Sequence, residues 1–139
     1  MKKLGLLFIL SVSLFASSGE SVFEKHCMSC HARNGMMGEG PMQDMKAPTM
    51  QMVSMRLKKM TGSKEAFLTF VKDYIQNPSQ KKGFCMPMAY KRFGVMPAIG
   101  KNLSEEERDA VANWIFDSFD DMWDRSMGGQ MCNTRNSAK

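Results

Sequence analysis

Cys27-Met28-Ser29-Cys30-His31 is the stretch on which the reading of the chain turns. C-x-x-C-H is the attachment signal for a c-type haem. Two thiols three positions apart on one helical turn can each bond one vinyl group of the same porphyrin. The histidine that follows can then reach the iron from that side. Cys27 and Cys30 are therefore expected to hold the ring, with neutral His31 as the proximal axial ligand. The two cysteines also fit other chemistry, because C-x-x-C occurs in thioredoxin-like redox sites and in zinc sites. The redox reading wants a βαβ setting, and no strand-rich pattern surrounds Cys27. A zinc site could recruit His26, His31, Cys85 and Cys132, but the last two are too widely spaced for a zinc ribbon. The histidine directly after Cys30 favours one covalent haem c per chain.

The residues before this motif agree with that choice. Residues 1–18 read as a signal peptide. Lys2 and Lys3 form a positive start, Leu4 to Phe15 a short apolar run, and Ala16-Ser17-Ser18 a small-residue cleavage site. The run is shorter than the ~20 residues that span a bilayer, which favours cleavage over an uncleaved anchor. No later segment is apolar enough to cross a membrane. The expected product is an exported protein in a periplasm, without a stable membrane span after cleavage. In that compartment Cys85 and Cys132 could form a disulfide, although a free thiol or an intermolecular bond is equally allowed. Without Lys2 and Lys3 the chain has 17 basic and 14 acidic residues, and no stripe suited to nucleic acid.

The rest reads as helices and loops. Residues 19–30 keep Val22, Phe23, Cys27 and Cys30 near one face. Residues 32–48 are a loop broken by Asn34-Gly35, Gly38, Gly40-Pro41 and Pro48. An axial histidine needs its second ring nitrogen fixed by an acceptor. Residues 49–60 contain Met50, Met52, Met55 and Met60 and read as a short helix or irregular turn. Thioethers could bind copper(I), but helical spacing and an apolar wall against the ring explain them more simply. Ser63 to Ile75 is a second helix, with Phe67, Phe70, Val71, Tyr74 and Ile75 on the pocket side. Residues 76–103 read as one long loop. Ser104 and Glu107 form a capping box that opens the last helix, and Val111, Trp114, Ile115, Phe119 and Met122 are its apolar stripe. Residues 124–139 read as a mobile polar tail.

Residues 19–31 resemble the N-terminal helix of class I single-haem c-type cytochromes. The stretch from Phe93 through Met96-Pro97 to Leu103-Ser104 resembles their methionine-ligand loop. The resemblance covers residues 19–123 and implies an all-α cytochrome c domain. It implies N- and C-terminal helices that cross, with Gly19, Phe23 and Trp114 at the crossing, and a covalent haem in the core. It implies that a proline carbonyl holds the axial histidine, with Pro41 the first candidate and Pro48 the second. It also implies a methionine as sixth iron ligand. Met96 leads, with Met86 and Met88 in Cys85-Met86-Pro87-Met88 as competitors. The metal ligands are then His31 and Met96, and the haem-binding set is Cys27, Cys30, His31 and Met96.

No nucleophile, base or substrate pocket is legible, so the expected role is a one-electron carrier and not an enzyme. The alternatives are a haem subunit of one oxidase or reductase complex, and a haem peroxidase or gas-binding sensor with an open sixth iron position. Lys81, Lys82, Lys91, Arg92 and Lys101 flank the proposed ligand loop, with no acid from Asn77 to Ser104. The last helix instead carries Glu105, Glu106, Glu107, Asp109, Asp117, Asp120, Asp121 and Asp124. Redox partner proteins are expected to dock on the basic side.

Overall fold

The computed structural model describes residues 17–33 and 45–119. The expected leader as far as residue 16, Pro41, Met122, Cys132 and the expected tail lie outside these residues, as do Asp120, Asp121 and Asp124. The described residues are helical and contain no strand. The elements are α1 (Gly19–His26), α2 (Met50–Thr61), α3 (Lys64–Gln76), α4 (Pro87–Phe93), a short 3-10 helix (Ile99–Asn102) and α5 (Glu105–Ser118).

Helix α1 is shorter than its apolar spacing suggests. Both Cys27 and Met28 send their backbone N–H to the Phe23 carbonyl, at 2.8 and 3.0 Å. The last turn therefore widens, and residues 27–30 continue as turns closed by Cys30 N–H and His31 N–H on the Cys27 carbonyl. Helix α2 is fuller than expected, at 12 residues. Thr49 caps its start, and Gly62 in a left-handed conformation (φ 74°) ends it. Its buried residues are Met50, Ser54 and Leu57, one face at i, i+4 and i+7. The expectation that the four methionines together form a wall needs correction. Met50 is buried, but Met52 and Met60 are about half exposed, at 47% and 51%.

Helix α3 begins at the expected cap, Ser63, whose side chain accepts from Ala66 N–H at 3.2 Å. The region read as one long loop contains α4 and the 3-10 helix. Pro87 sits in the first turn of α4, where its missing N–H costs nothing. Gly94 follows the last residue with φ 73°, a conformation that side chains disfavour. Helix α5 carries the capping box: Ser104 accepts from Glu107 N–H, and Glu107 accepts from Ser104 N–H. Such a cap contributes about 1 kcal/mol.

The core forms where α1, α2 and α3 pack on α5. Phe23, Phe67, Val111 and Ala112 are essentially inaccessible to solvent. The rings of Phe23 and Trp114 are 4.9 Å apart, and Phe119 meets both. Phe67 packs edge-on against Phe116 at 5.1 Å. Ser54 donates to the buried Ile115 carbonyl at 3.3 Å, and so pins α2 to α5. Gly19 lies on α5 so closely that a Cβ would stand 2.2 Å from the Ala110 carbonyl oxygen and 2.4 Å from Trp114 Cβ.

Gly19→Val should therefore force α1 away from α5. The expected loss is about 1–3 kcal/mol, the usual cost of overfilling a packed contact. Urea denaturation of the full chain measures it, with Ser21→Ala as an exposed control on the same helix. A Gly19→Val midpoint equal to that of the control would refute the close approach.

Candidate haem site

A cavity lies between the Cys27–His31 turn, α2, α3, α4 and the chain leading to α5. Cys27, Cys30 and His31 are in its wall, as is Met96. Most of the rest is apolar: Val53, Leu57, Phe70, Val71, Ile75 and Ile99 among others. Phe70 stacks on Tyr74 at 5.3 Å and tilts against Phe84 at 4.8 Å, forming an aromatic side to the cavity. Phe67 was expected here, but it sits in the core against α5 and not in the wall.

His31 Nδ1 lies 2.7 Å from the Pro48 carbonyl oxygen. A carbonyl can only accept, so Nδ1 carries the proton and Nε2 keeps a free lone pair. The acceptor is Pro48, the second of the two prolines considered, and not Pro41. Burial pulls the imidazole pKa below its ordinary value, and the Pro48 bond opposes that pull. Two backbone bonds hold the same junction. Met50 N–H reaches the Ala32 carbonyl at 2.8 Å, and Gln51 N–H reaches Arg33 at 3.1 Å. Arg33 ties the junction to α1 through Glu20 and Glu24, at 2.8 and 2.7 Å, and lies over the Trp114 ring. That clamp gave no local sequence signal, because its acids precede Arg33 by nine residues or more.

The cysteines differ. Cys27 is buried and Cys30 exposed, and both are free thiols. Burial, reinforced by the neighbouring Cys30, pushes the Cys27 thiol up to about 11. Cys85 is also a free, half-buried thiol in the cavity wall. Among the competing methionines, Met86 and Met88 are exposed, at 39% and 67%, and neither lines the cavity. His26 borders the cavity too, on the helix that leads into the cysteine turn.

These residues fit a haem. The wall is mostly apolar, two thiols stand one turn apart, and the adjacent imidazole has a prepared lone pair. Such an arrangement in a small helical protein defines a c-type cytochrome. Residues 15–115 match the family described as cytochrome c oxidase, cbb3-type, subunit III. The chain belongs to that c-type cytochrome family, which links it to haem, iron and electron transfer. It is also 43% identical over 150 residues to an uncharacterized protein of Aquifex aeolicus (strain VF5), covering 94% of this chain and 99% of that one. No solved structure matches the chain.

The basic residues are exposed as expected, but they are not equivalent. Lys82 pairs with Asp73 of α3 at 2.7 Å, so the absence of acids within the loop does not leave it unpaired. On α5, Asp109 and Asp117 pair with Lys72 and Lys64, which softens the expected acidic side. No helix among the described residues is long and apolar enough to cross a membrane.

Thiol reactivity tests the contrast between the cysteines. In haem-free chain at pH 8, iodoacetamide should label Cys30 several-fold faster than Cys27, because a raised pKa leaves Cys27 as the unreactive thiol. Peptide mass spectrometry against time reads both sites. Equal rates would contradict the burial of Cys27.

Proposed function

We propose that the chain is an exported, periplasmic cytochrome with one covalent haem c that carries single electrons between redox proteins. The observation that carries this reading is the prepared His31 lone pair in an apolar cavity whose wall also holds Cys27, Cys30 and Met96. Cys27 and Cys30 would hold the ring, and His31 and Met96 would be its axial ligands. Bound there, haem supplies a one-electron ferric–ferrous couple. The apolar wall keeps water away, burial favours the neutral imidazole, and the Pro48 bond orients it. A histidine–methionine pair favours a raised potential. Met96 is preferred because it lines the cavity, whereas Met86 and Met88 do not. With a thioether filling the sixth position, a carrier is favoured over a peroxidase or gas sensor.

The family description favours a second reading, in which the same electron transfer serves one terminal oxidase as a dedicated subunit. In either case a partner must dock. Met86, Met88 and Val95 are exposed apolar residues close in sequence to Lys91, Arg92 and Lys101. We place docking on this face, with Lys81 as a further contact, for a partner with an apolar centre and an acidic rim. Long-range attraction of that kind raises the encounter rate more than the affinity.

The absorption spectrum of the native protein in both oxidation states tests the haem reading. Met96→Leu should abolish the methionine–iron band and lower the potential, while Met86→Leu should leave both in place. A band that survives in Met96→Leu and vanishes in Met86→Leu would move the ligand to Met86. Docking is tested by stopped-flow electron transfer to an acidic partner protein. With a Debye length of about 8 Å at physiological salt, the rate should fall about tenfold or more from low to high ionic strength. Lys81→Glu and Lys91→Glu should slow it at low salt, and Lys82→Glu less so because Asp73 already holds that lysine. Rates that ignore both salt and charge reversal would exclude a docking role for this face.

A further inference from the structure

Arg33 has more partners than a surface arginine needs. Its Nη2 donates to both Glu20 and Glu24, one turn apart on α1, at 2.8 and 2.7 Å. The guanidinium carbon stands 5.1 Å from the centre of the Trp114 ring of α5 and 5.8 Å from that of Phe23. One cation thus meets two carboxylates and two aromatic rings, and it touches both helices of the α1–α5 crossing. An exposed ion pair alone counts for little, because fixing a long side chain costs entropy. Here one side chain is fixed once and makes all four contacts. A lysine does not reproduce this, since its ammonium lacks the plane that lies over Trp114.

The backbone beside it has a different task. The Arg33 carbonyl accepts from Gln51 N–H at 3.1 Å, and the Ala32 carbonyl accepts from Met50 N–H at 2.8 Å. These bonds set where α2 begins, and Pro48 lies just before its cap, Thr49. The donor and the acceptor of the His31–Pro48 bond are therefore joined through residues 32 and 33. A shift of Arg33 moves the acceptor relative to the ring.

We propose that Arg33 is a positioning residue for the axial histidine. By tying residues 32 and 33 to the α1–α5 crossing, it holds the Pro48 carbonyl on His31 Nδ1–H and so sets how strongly the imidazole donates to iron. The inference rests on the haem reading above. Arg33 does not line the cavity, so its action runs through His31 and Pro48. A ligating histidine whose second nitrogen donates to a carbonyl is the more basic ligand. A more basic ligand favours ferric iron, so loosening the bond raises the potential.

Wild type, Arg33→Lys, Arg33→Met, Glu24→Gln and a Ser21→Ala control are prepared as full chains with uniform 15N label. Covalent haem content, from the alkaline pyridine spectrum, reports the haem reading by itself. No covalent haem in wild type would overturn that reading, and the role of Arg33 with it. In the reduced, haem-loaded protein, NMR follows hydrogen exchange at His31 Nδ1–H, at the Met50 and Gln51 amides, and at the amide of Val111, which is buried in α5. In Arg33→Lys and Arg33→Met the first three should exchange about tenfold faster or more, while Val111 keeps its wild-type rate. Glu24→Gln should give a smaller change at the same three sites, and Ser21→Ala none. Arg33→Lys, which keeps the charge, should also have a higher reduction potential than wild type. Equal acceleration at all four sites would make Arg33 a general stabiliser and overturn the proposal. Wild-type exchange at His31 would overturn it too, as would faster exchange there with an unmoved potential. If neither Arg33 variant matures, the exchange rates of Glu24→Gln carry the test by the same criteria.

Discussion

The hydrogen bond from His31 Nδ1–H to the Pro48 carbonyl is the constraint on which the rest depends. It joins the end of the cysteine turn to the residue that precedes the cap of α2. Thr49 then starts α2, and the first two N–H groups of that helix return to Ala32 and Arg33. Those N–H groups have no partner within the helix and must be satisfied elsewhere. One short junction therefore closes the helix start, selects the histidine tautomer and sets the cavity wall. Arg33 extends the junction sideways, with its charge on Glu20 and Glu24 and its plane over Trp114. The surface ion pairs alone would count for little. Their effect here is to hold a residue two positions from His31.

The remaining architecture gives that junction something to face. Gly19 lets α1 lie on α5, and Ser54 pins α2 to the same helix. Three helices thus share α5 as a common support, while the faces of α2 and α3 turned from it supply Val53, Phe70 and Tyr74 to the cavity. Phe67 and Phe70 show the division within one helix. They are three positions apart, yet Phe67 meets Phe116 of α5 and Phe70 meets Phe84 in the cavity wall.

What the sequence disclosed follows the range of the forces involved. The cysteine–histidine motif, the Ser63 cap and the Ser104–Glu107 box are local, and each was legible. Helix α4 was also announced locally, by Pro87 just inside its start and Gly94 just past its end, but residues 76–103 read as one long loop in which Met-Pro steps marked candidate ligands. Methionine blurs α2, because an unbranched thioether suits both a buried and an exposed position, as Met50 and Met52 show. The choice of Pro48 over Pro41, the Lys82–Asp73 pair and the burial of Phe67 away from the cavity depend on contacts between segments distant in sequence. No periodicity encodes them.

Gly19 shows how two sequence signals can share a residue for separate reasons. It follows a small-residue stretch suited to cleavage, and it opens the helix that meets α5. The close approach to Ala110 and Trp114 requires glycine there whether or not the chain is cut before it. The structure adds a cost to cutting at that bond. Ser18 caps α1, its side chain accepting from Ser21 N–H at 3.2 Å. Cleavage before Gly19 would remove that acceptor, at about 1 kcal/mol. It would also put a charged amino group at the positive end of the helix, at about 0.3–1 kcal/mol more. Glu20 in the first turn offsets part of this charge but is already shared with Arg33. A mature chain that kept Ser17 and Ser18 would retain both the cap and the packing. The glycine is thus accounted for by the helix contact alone, and the Ser18 cap would survive only in a chain that keeps that residue.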